Sequence, residues 1–363
     1  MTGLYVLAAG GTGGHMVPAH VLAQELRGRG AEVHLVTDER GLRFPGLFEG
    51  VSRTVVSAAS TGRSGLMSAP SVARAVWRGR GQARAVYRAL RPRAVIGFGG
   101  YPSLPGLLGG LANGTPCLIH EQNAVLGRTN RFLAGRVRAI ATSYASVARL
   151  APTFADKVHL TGNPVRADVI AIRQGAFDAS APALRLLVTG GSQGAAILNE
   201  VVPAAVALLP DTLRARLSVV HQGRDEDAAH VAEIYRNAGV TAEVRAYFTD
   251  LPRELAMAHL VVARAGASTV AELAVAGRPA ILVPLPIATD DHQTANARAL
   301  AVAGGAVIIP QPRFTAEALA AALTQWLDDP TALAAAAAGA RSVGVPDAAI
   351  RLADLVIAIG NQS

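Results

Sequence analysis

The chain reads as an α/β protein of two doubly wound parallel-sheet domains facing a cleft, and three observations predict this. Short apolar runs rich in β-branched residues alternate with helical stretches along the whole chain, the pattern of parallel strands covered on both faces. A glycine-rich turn follows a strand-like run twice, about one domain apart: Gly10-Gly11-Thr12-Gly13-Gly14-His15 and Gly190-Gly191-Ser192-Gln193-Gly194. The length, 363 residues, exceeds what one core usually holds.

The strands expected in order are Leu4–Ala9, Glu32–Val36, Ala94–Phe98, Pro116–Ile119 and Ala139–Thr142, then Leu186–Thr189, Leu217–His221, Glu243–Ala246, Leu260–Ala263, Ala280–Val283 and Ala306–Ile309. Each is nearly continuous in apolar character, as a strand buried on both faces must be. Helices are expected over Ala19–Arg27, Ala195–Leu208, Ala229–Asn237, Thr269–Ala276 and Gln293–Ala303. The first stops where Gly28 and Gly30 follow, a common helix-ending signal. Turn residues Thr161-Gly162-Asn163-Pro164 mark the hinge. Ala332–Ala340 reads as a surface helix, and Ala348–Ile359 as an amphipathic helix that returns to the first domain. The expected domains are residues 1–164 with the terminal helix 346–363, and residues 165–345.

Composition narrows the class. Half the residues are apolar and 17% are charged, which fits a well-buried globular protein. A lone cysteine, Cys117, excludes an internal disulfide and any cysteine-rich zinc site. Leu4–Ala9 is too short for a signal core or a membrane span. Charge is divided unevenly: residues 1–155 hold 18 Arg against 6 acids, and between Val51 and Ala155 only Glu121 is acidic. That half is built to meet an anion, whether membrane surface, nucleic acid or diphosphate.

The motifs carry the chemistry. A strand running through glycines into a helix exposes unpaired N–H groups beside a positive helix end, which suits phosphate. Asp38, at the end of the second strand, is where a dinucleotide site would hold a ribose, yet the doubled glycines and His15 fit that pattern poorly. His15 near a helix N-terminus is favoured neutral and able to accept a proton, or else donates to a phosphate or carbonyl. A third glycine turn, Gly97-Phe98-Gly99-Gly100-Tyr101-Pro102-Ser103, and the polar cluster His120-Glu121-Gln122-Asn123 also end strands, where parallel-sheet ligand sites gather. Arg264-Ala265-Gly266-Ala267-Ser268-Thr269 opens a helix with Glu272 one turn in; this is either a capped start or a phosphate cradle with a ribose acceptor. Asp290-Asp291-His292-Gln293 opens another. Asp225-Glu226-Asp227 matches a metal-binding spacing but sits at a helix start, where it reads as a solvated charge cluster; no metal and no cofactor are called for.

A basic stretch, Arg74, Arg78, Arg80, Arg84, Arg88, Arg91 and Arg93, is interleaved with Leu66, Met67, Val72, Val76 and Trp77. Nucleic acid would want stacking aromatics or a recognised module, and neither is present. Arginine beside an apolar patch with an interfacial Trp fits anionic lipid; an ordinary solvated helix is the alternative.

Taken together, Gly10–His15, Gly99-Gly100-Tyr101, His120–Asn123, Gly162-Asn163-Pro164-Val165-Arg166, Gly190–Gly194, Arg264–Glu272 and Gln293 resemble, in the same order and over almost the whole chain, the MurG family of bacterial glycosyltransferases. The resemblance implies a GT-B fold and transfer of N-acetylglucosamine from UDP-N-acetylglucosamine to undecaprenyl-diphosphate-muramylpentapeptide in peptidoglycan synthesis. It implies, too, a peripheral position on the cytoplasmic face of the inner membrane, and no nucleic-acid partner. By the same resemblance Thr12, Gly13, Gly14 and Asn123 reach the donor sugar, and Arg166 and Ser192 face the UDP diphosphate. The backbone at Thr249 reads the uracil, Gly266, Ala267, Ser268 and Thr269 line the nucleotide pocket, Glu272 holds the ribose, and Gln293 contacts the sugar hydroxyls. Gly10, Gly11, Gly99, Gly100 and Tyr101 fall to the acceptor and its diphosphate, and Leu66, Met67, Val76, Trp77, Arg74, Arg78 and Arg80 to the membrane. His292 stands where some relatives carry a second glutamine. The transfer needs a base near the acceptor hydroxyl and charge stabilisation on the leaving diphosphate; His15 is the expected base, with Glu121 as the alternative. A UDP-N-acetylglucosamine 2-epimerase would need a carboxylate-rich cleft, which the first domain lacks. A non-catalytic binder of lipid diphosphate or nucleic acid would need no nucleotide site in the second.

Overall fold

The computed structural model describes residues 3–44, 46–58, 69–191, 195–248 and 250–362. Two compact units divide it: residues 1–165 with 346–363, and residues 166–345. Ser192, Thr249, Leu66 and Met67 lie outside the described residues.

In the first unit seven described strands form one parallel sheet: β1 (Leu4–Ala8), β2 (Glu32–Thr37), β3 (Ser52–Val55), β4 (Ala94–Gly97), β5 (Cys117–Glu121), β6 (Ala139–Thr142) and β7 (Val158–Leu160). Their order is β3-β2-β1-β4-β5-β6-β7. β1 pairs in register with β2 on one side (Val6 opposite His34) and with β4 on the other (Val6 opposite Val95). The direction of winding therefore reverses at β1, and ligands of such sheets bind outside the carboxyl ends of the strands at that reversal. The first glycine turn follows β1 and the third follows β4, so both lie there.

Helices cover both faces of this sheet. On one, Met16, Leu22 and Leu26 of the helix Gly13–Gly28 pack with Leu7, Leu35 and Phe98 and with Leu352, Val356 and Ile359 of the terminal helix Ala348–Gly360. Arg29 bridges the two helices, its Nε donating to Glu25 and its Nη1 to Asp354. Because Leu352 is fully buried, Leu352→Ala is expected to destabilise this unit by about 2–5 kcal/mol, read as a lower urea midpoint. On the other face Tyr87 and Ala83 of the helix Ala69–Leu90 join Val6, Val95, Leu107 and Ile119.

The second unit repeats the plan with six described strands: β8 (Leu184–Thr189), β9 (Leu217–Gln222), β10 (Thr241–Arg245), β11 (Leu260–Ala263), β12 (Ala280–Leu282) and β13 (Ala306–Ile308). All pairings are parallel, in the order β10-β9-β8-β11-β12-β13, with the reversal at β8, directly before the second glycine turn. Its core joins Leu186, Val188, Val262 and Ile281 of the sheet to Leu198, Val202, Leu319, Leu323 and Trp326 of the helices.

Candidate functional site

The first unit presents a cluster of glycine turns around His15. The helix Gly13–Gly28 begins within the turn itself, six residues before the expected Ala19. His15 thus sits in the first helical turn, where the N–H groups of Gly13 and Gly14 have no intrahelical acceptor. Thr12 is the N-cap but makes no capping bond; its Oγ1 lies 3.3 Å from His15 Nδ1 instead. Gly99 and Gly100 both have positive φ, +82° and +69°. A Cβ on Gly100 would stand 3.1 Å from His15 Cε1, and one on Gly99 3.6 Å from its Nε2. The two glycines give the chain its left-handed turn and give the imidazole its berth. Tyr101 is exposed on the first turn of the following helix, Gly100–Ala112.

His120 and Glu121, at the end of β5, are wholly inside. His120 Nε2 donates to the Gly162 carbonyl at 3.0 Å, and Gln122 Nε2 donates to His120 Nδ1 at 3.0 Å. Burial pushes this imidazole down to about 4, with further lowering from His15, so it is neutral at physiological pH. Glu121 is 2% exposed. Its Oε1 accepts from the backbone N and Nδ2 of Asn123, and its Oε2 from Gly127 N and Asn130 Nδ2. Four donors on a buried carboxylate make it a staple for the loop that follows β5. The geometry therefore departs from the expectation of Glu121 as an alternative base, and supports it as the group that fixes Asn123.

Asp38 also departs from the dinucleotide pattern. Its Oδ1 accepts from Gly41 N at 3.1 Å and its Oδ2 from Arg40 Nε at 2.8 Å. A carboxylate so engaged is closing its own turn rather than waiting for a ribose.

Of the basic stretch, Arg74 and Arg78 are exposed on the helix Ala69–Leu90, and Val76 is half-buried. Trp77 is 63% exposed, with the Arg80 guanidinium 4.5 Å over its ring.

In the second unit the helix Ala267–Ala276 starts at Gly266, which caps it with no side chain. Ser268 Oγ is buried with no partner, and Thr269 Oγ1 lies 3.7 Å from where a Gly266 Cβ would be. An uncapped helix start with an unsatisfied buried hydroxyl is suited to an anionic ligand. One turn in, Glu272 Oε1 accepts from Arg166 Nη2 at 3.1 Å. Burial raises the Glu272 carboxyl above its ordinary range, and Arg166 opposes that rise. Arg166 Nε is itself buried with no partner. Two residues expected to serve different parts of a nucleotide are thus one ion pair beside the helix start.

Gln293 Oε1 accepts from Leu285 N at 3.0 Å, so its amide nitrogen is the group that can donate. His292 Nδ1 donates to the Thr289 carbonyl at 2.8 Å. Asp290 and Asp291 before it hold positive φ, 57° and 52°, unusual for residues with side chains. Asp227 accepts from Asn199 Nδ2 at 2.9 Å, and among the described residues no group of three metal-ligating side chains is assembled.

One residue of this region, Gln222, escaped sequence reasoning, and Arg264, read there only as the start of a motif, has a bracing role that no motif showed. Gln222, the last residue of β9, accepts from Thr189 Oγ1 at 2.8 Å and donates to the carbonyls of Gly191 and Ala246, so it ties the second glycine turn to the end of β10. Its signal was a buried polar side chain one position beyond the expected strand. Arg264 does the same at the next strands: its guanidinium donates to the carbonyls of Val283 and Pro284 and to Gln311 Oε1.

Comparison with known proteins accords with this layout. Residues 5–142 match the Glycosyltransferase family 28 N-terminal domain, and residues 185–352 its C-terminal domain. A Zymomonas mobilis protein is 52% identical over 366 residues, covering 99% of this chain and 93% of that protein. One from Rhodospirillum centenum is 52% identical over 354 residues, covering 97% and 93%. Both are named UDP-N-acetylglucosamine–N-acetylmuramyl-(pentapeptide) pyrophosphoryl-undecaprenol N-acetylglucosamine transferase. Among solved structures, Acinetobacter baumannii MurG superposes with a TM-score of 0.77 at 30% identity, covering 98% of this chain and 99% of that one. The Neisseria meningitidis UDP-GlcNAc 2-epimerase reaches 0.67 at 11% identity, a likeness of fold alone.

Proposed function

This chain belongs to glycosyltransferase family 28, and from that premise we propose the reaction and the roles of its residues. The protein is a UDP-N-acetylglucosamine-dependent glycosyltransferase with two parallel-sheet units of GT-B type. It transfers N-acetylglucosamine to the lipid-diphosphate-linked N-acetylmuramyl-pentapeptide of peptidoglycan synthesis. The observation that carries this is identity of about half of all residues with enzymes of that name over nearly the full length of both chains.

The acceptor's 4-hydroxyl attacks the anomeric carbon of the donor sugar with inversion; the β-1,4 bond forms as the bond to UDP breaks. His15 takes the hydroxyl proton, and Thr12 and the Gly99-Gly100 turn hold its ring. Thr12, Gly13, Gly14 and Asn123 serve the donor sugar, and Gly10, Gly11, Gly99, Gly100 and Tyr101 the acceptor and its diphosphate. In the second unit the N–H groups of the helix from Ala267, with Ser268, Thr269 and Arg166, neutralise charge gathering on the departing diphosphate. Ser192 joins them, Thr249 reads the uracil, Glu272 accepts from the ribose, and Gln293 Nε2 donates to a sugar hydroxyl.

The test is to mix the protein with labelled UDP-N-acetylglucosamine and a lipid-diphosphate-muramyl acceptor. Release of UDP together with disaccharide supports the reading. Turnover of the donor without acceptor would favour an epimerase, and no UDP release would leave a binding protein.

None of the helices searched among the described residues is long and apolar enough to cross a membrane. We read the chain as peripheral on the cytoplasmic face of the plasma membrane, through Trp77, Arg74, Arg78 and Arg80 with Val76, Leu66 and Met67, against anionic lipid. Each arginine near such a surface is worth about 1 kcal/mol. Replacing Arg74 and Arg78 with Gln should weaken co-sedimentation with phosphatidylglycerol vesicles about thirtyfold, and unchanged binding would rule the patch out.

A further inference from the structure

The carboxyl end of β2 carries a cation that neither the sequence reading nor the reaction above uses. Asp38 closes the short helical turn Glu39–Arg43, accepting from Gly41 N through Oδ1. Its other oxygen accepts from Arg40 Nε at 2.8 Å and folds the guanidinium back over the first glycine turn. The two elements fit only because the turn is bare. A Cβ on Gly10 would stand 2.7 Å from Asp38 Oδ1, too close to be accommodated, while the Gly11 Cβ position, 3.9 Å from both Cζ and Nη2 of Arg40, places the guanidinium in ordinary contact with the turn. Gly11 has φ +85°, which is what asks for glycine there.

Arg40 is only partly exposed, and its ion pair with Asp38 uses one of its five N–H donors. The fork of Nη1 and Nη2 is left beside Gly11, next to a helix start with no acidic residue in its first turn. Thr37 Oγ1, fully buried and without a partner, lies 3.2 Å from the Gly10 Cβ position, so the turn also carries an unsatisfied hydroxyl. A rigidly aimed guanidinium, uncommitted helix N–H groups and a spare hydroxyl around two glycines are what a phosphate group asks for.

We infer that Arg40, aimed by Asp38, is a specificity-determining residue that grips a phosphate of the acceptor's diphosphate at the first glycine turn. The inference rests on the transferase reading for the identity of the ligand. It also gives Asp38 a purpose: a positioning carboxylate, which acts on substrate through Arg40.

The experiment compares two soluble acceptors, N-acetylmuramyl-peptide bearing a neryl diphosphate at C1 and the same sugar as its methyl glycoside. In Arg40→Gln, the ratio of kcat/KM for the diphosphate acceptor to that for the methyl glycoside should fall by at least about tenfold. Arg40→Lys, which keeps charge but loses the fork, should fall between, and Asp38→Asn should move the ratio in the same direction. A ratio unchanged in Arg40→Gln overturns the inference. Titration calorimetry of neryl diphosphate, with UDP saturating the nucleotide site, decides independently of turnover: weaker binding to Arg40→Gln supports the inference and equal affinity overturns it. A wild-type protein that turns over neither acceptor would count against the transferase reading, and the calorimetry would still judge Arg40.

Discussion

His15→Ala is expected to lower kcat by about 10²–10⁴, the usual contribution of a positioned general base, with the thermal midpoint held. The neighbouring titratable groups at the end of β5 are already engaged. His120 is fully buried, bound at both nitrogens and pushed down to about 4, so it serves as structure. Glu121 has four N–H donors on its two oxygens. His15 alone of the three stands at the rim, half-buried in the first turn of the helix Gly13–Gly28, with Thr12 on one nitrogen and two side-chain-free residues beneath its ring. His15→Gln separates the possible roles, since an amide keeps the contact with Thr12 but takes no proton. It should be as slow as the alanine variant with both substrates saturating; recovery of turnover by Gln would make the role one of hydrogen bonding. Near-normal turnover in His15→Ala would end the assignment.

Much of this arrangement could be read from residues alone, and the failures have physical causes. Interior strands such as β1 and β11 are continuous apolar runs because helices cover both faces. β3 and β7 were missed because they are edge strands: Ser52-Arg53-Thr54-Val55 pairs only with β2 and is largely exposed, so no apolar run betrays it. The helix Gly100–Ala112 contradicts propensity, with four glycines and two prolines in thirteen residues. Close packing decides there, since a Cβ on Gly109 would stand 2.7 Å from that of Ala83 and one on Gly106 2.9 Å from that of Ala8. The helix expected from Ala19 instead runs through Pro18 from Gly13. At the site, glycine turns and strand ends were legible as positions. The partners were not: Glu121 with Asn130, Arg166 with Glu272, and Gln222 across Gly191 are contacts set by the fold, with sequence separations that no local pattern records.

Arg166→Met is expected to reduce kcat/KM for UDP-N-acetylglucosamine by about 10²–10³, the loss typical of removing one group that stabilises charge in the transition state. The same change leaves Glu272 buried without its cation, so activity could fall merely because the fold weakens. The carboxyl's pH dependence separates the two. Burial already raises Glu272 and Arg166 holds it down, so removing Arg166 raises it further. A carboxyl raised above its unfolded value binds more protons folded than unfolded through that window. Its stability is fully present below the ordinary glutamate range and is lost as pH rises through the raised value. The pH-dependent part of the deficit of Arg166→Met against wild type, measured by urea unfolding, should therefore shrink as pH falls through the raised Glu272 range and be gone below the ordinary glutamate value of about 4. Adding Glu272→Gln removes the buried charge and should restore stability at neutral pH, while donor kcat/KM stays low, since the guanidinium is absent and the ribose has only an amide oxygen to donate to. If the double variant recovers donor kcat/KM along with stability, Arg166 acts only as the counterion of Glu272, and the leaving diphosphate must draw its stabilisation from the helix start alone.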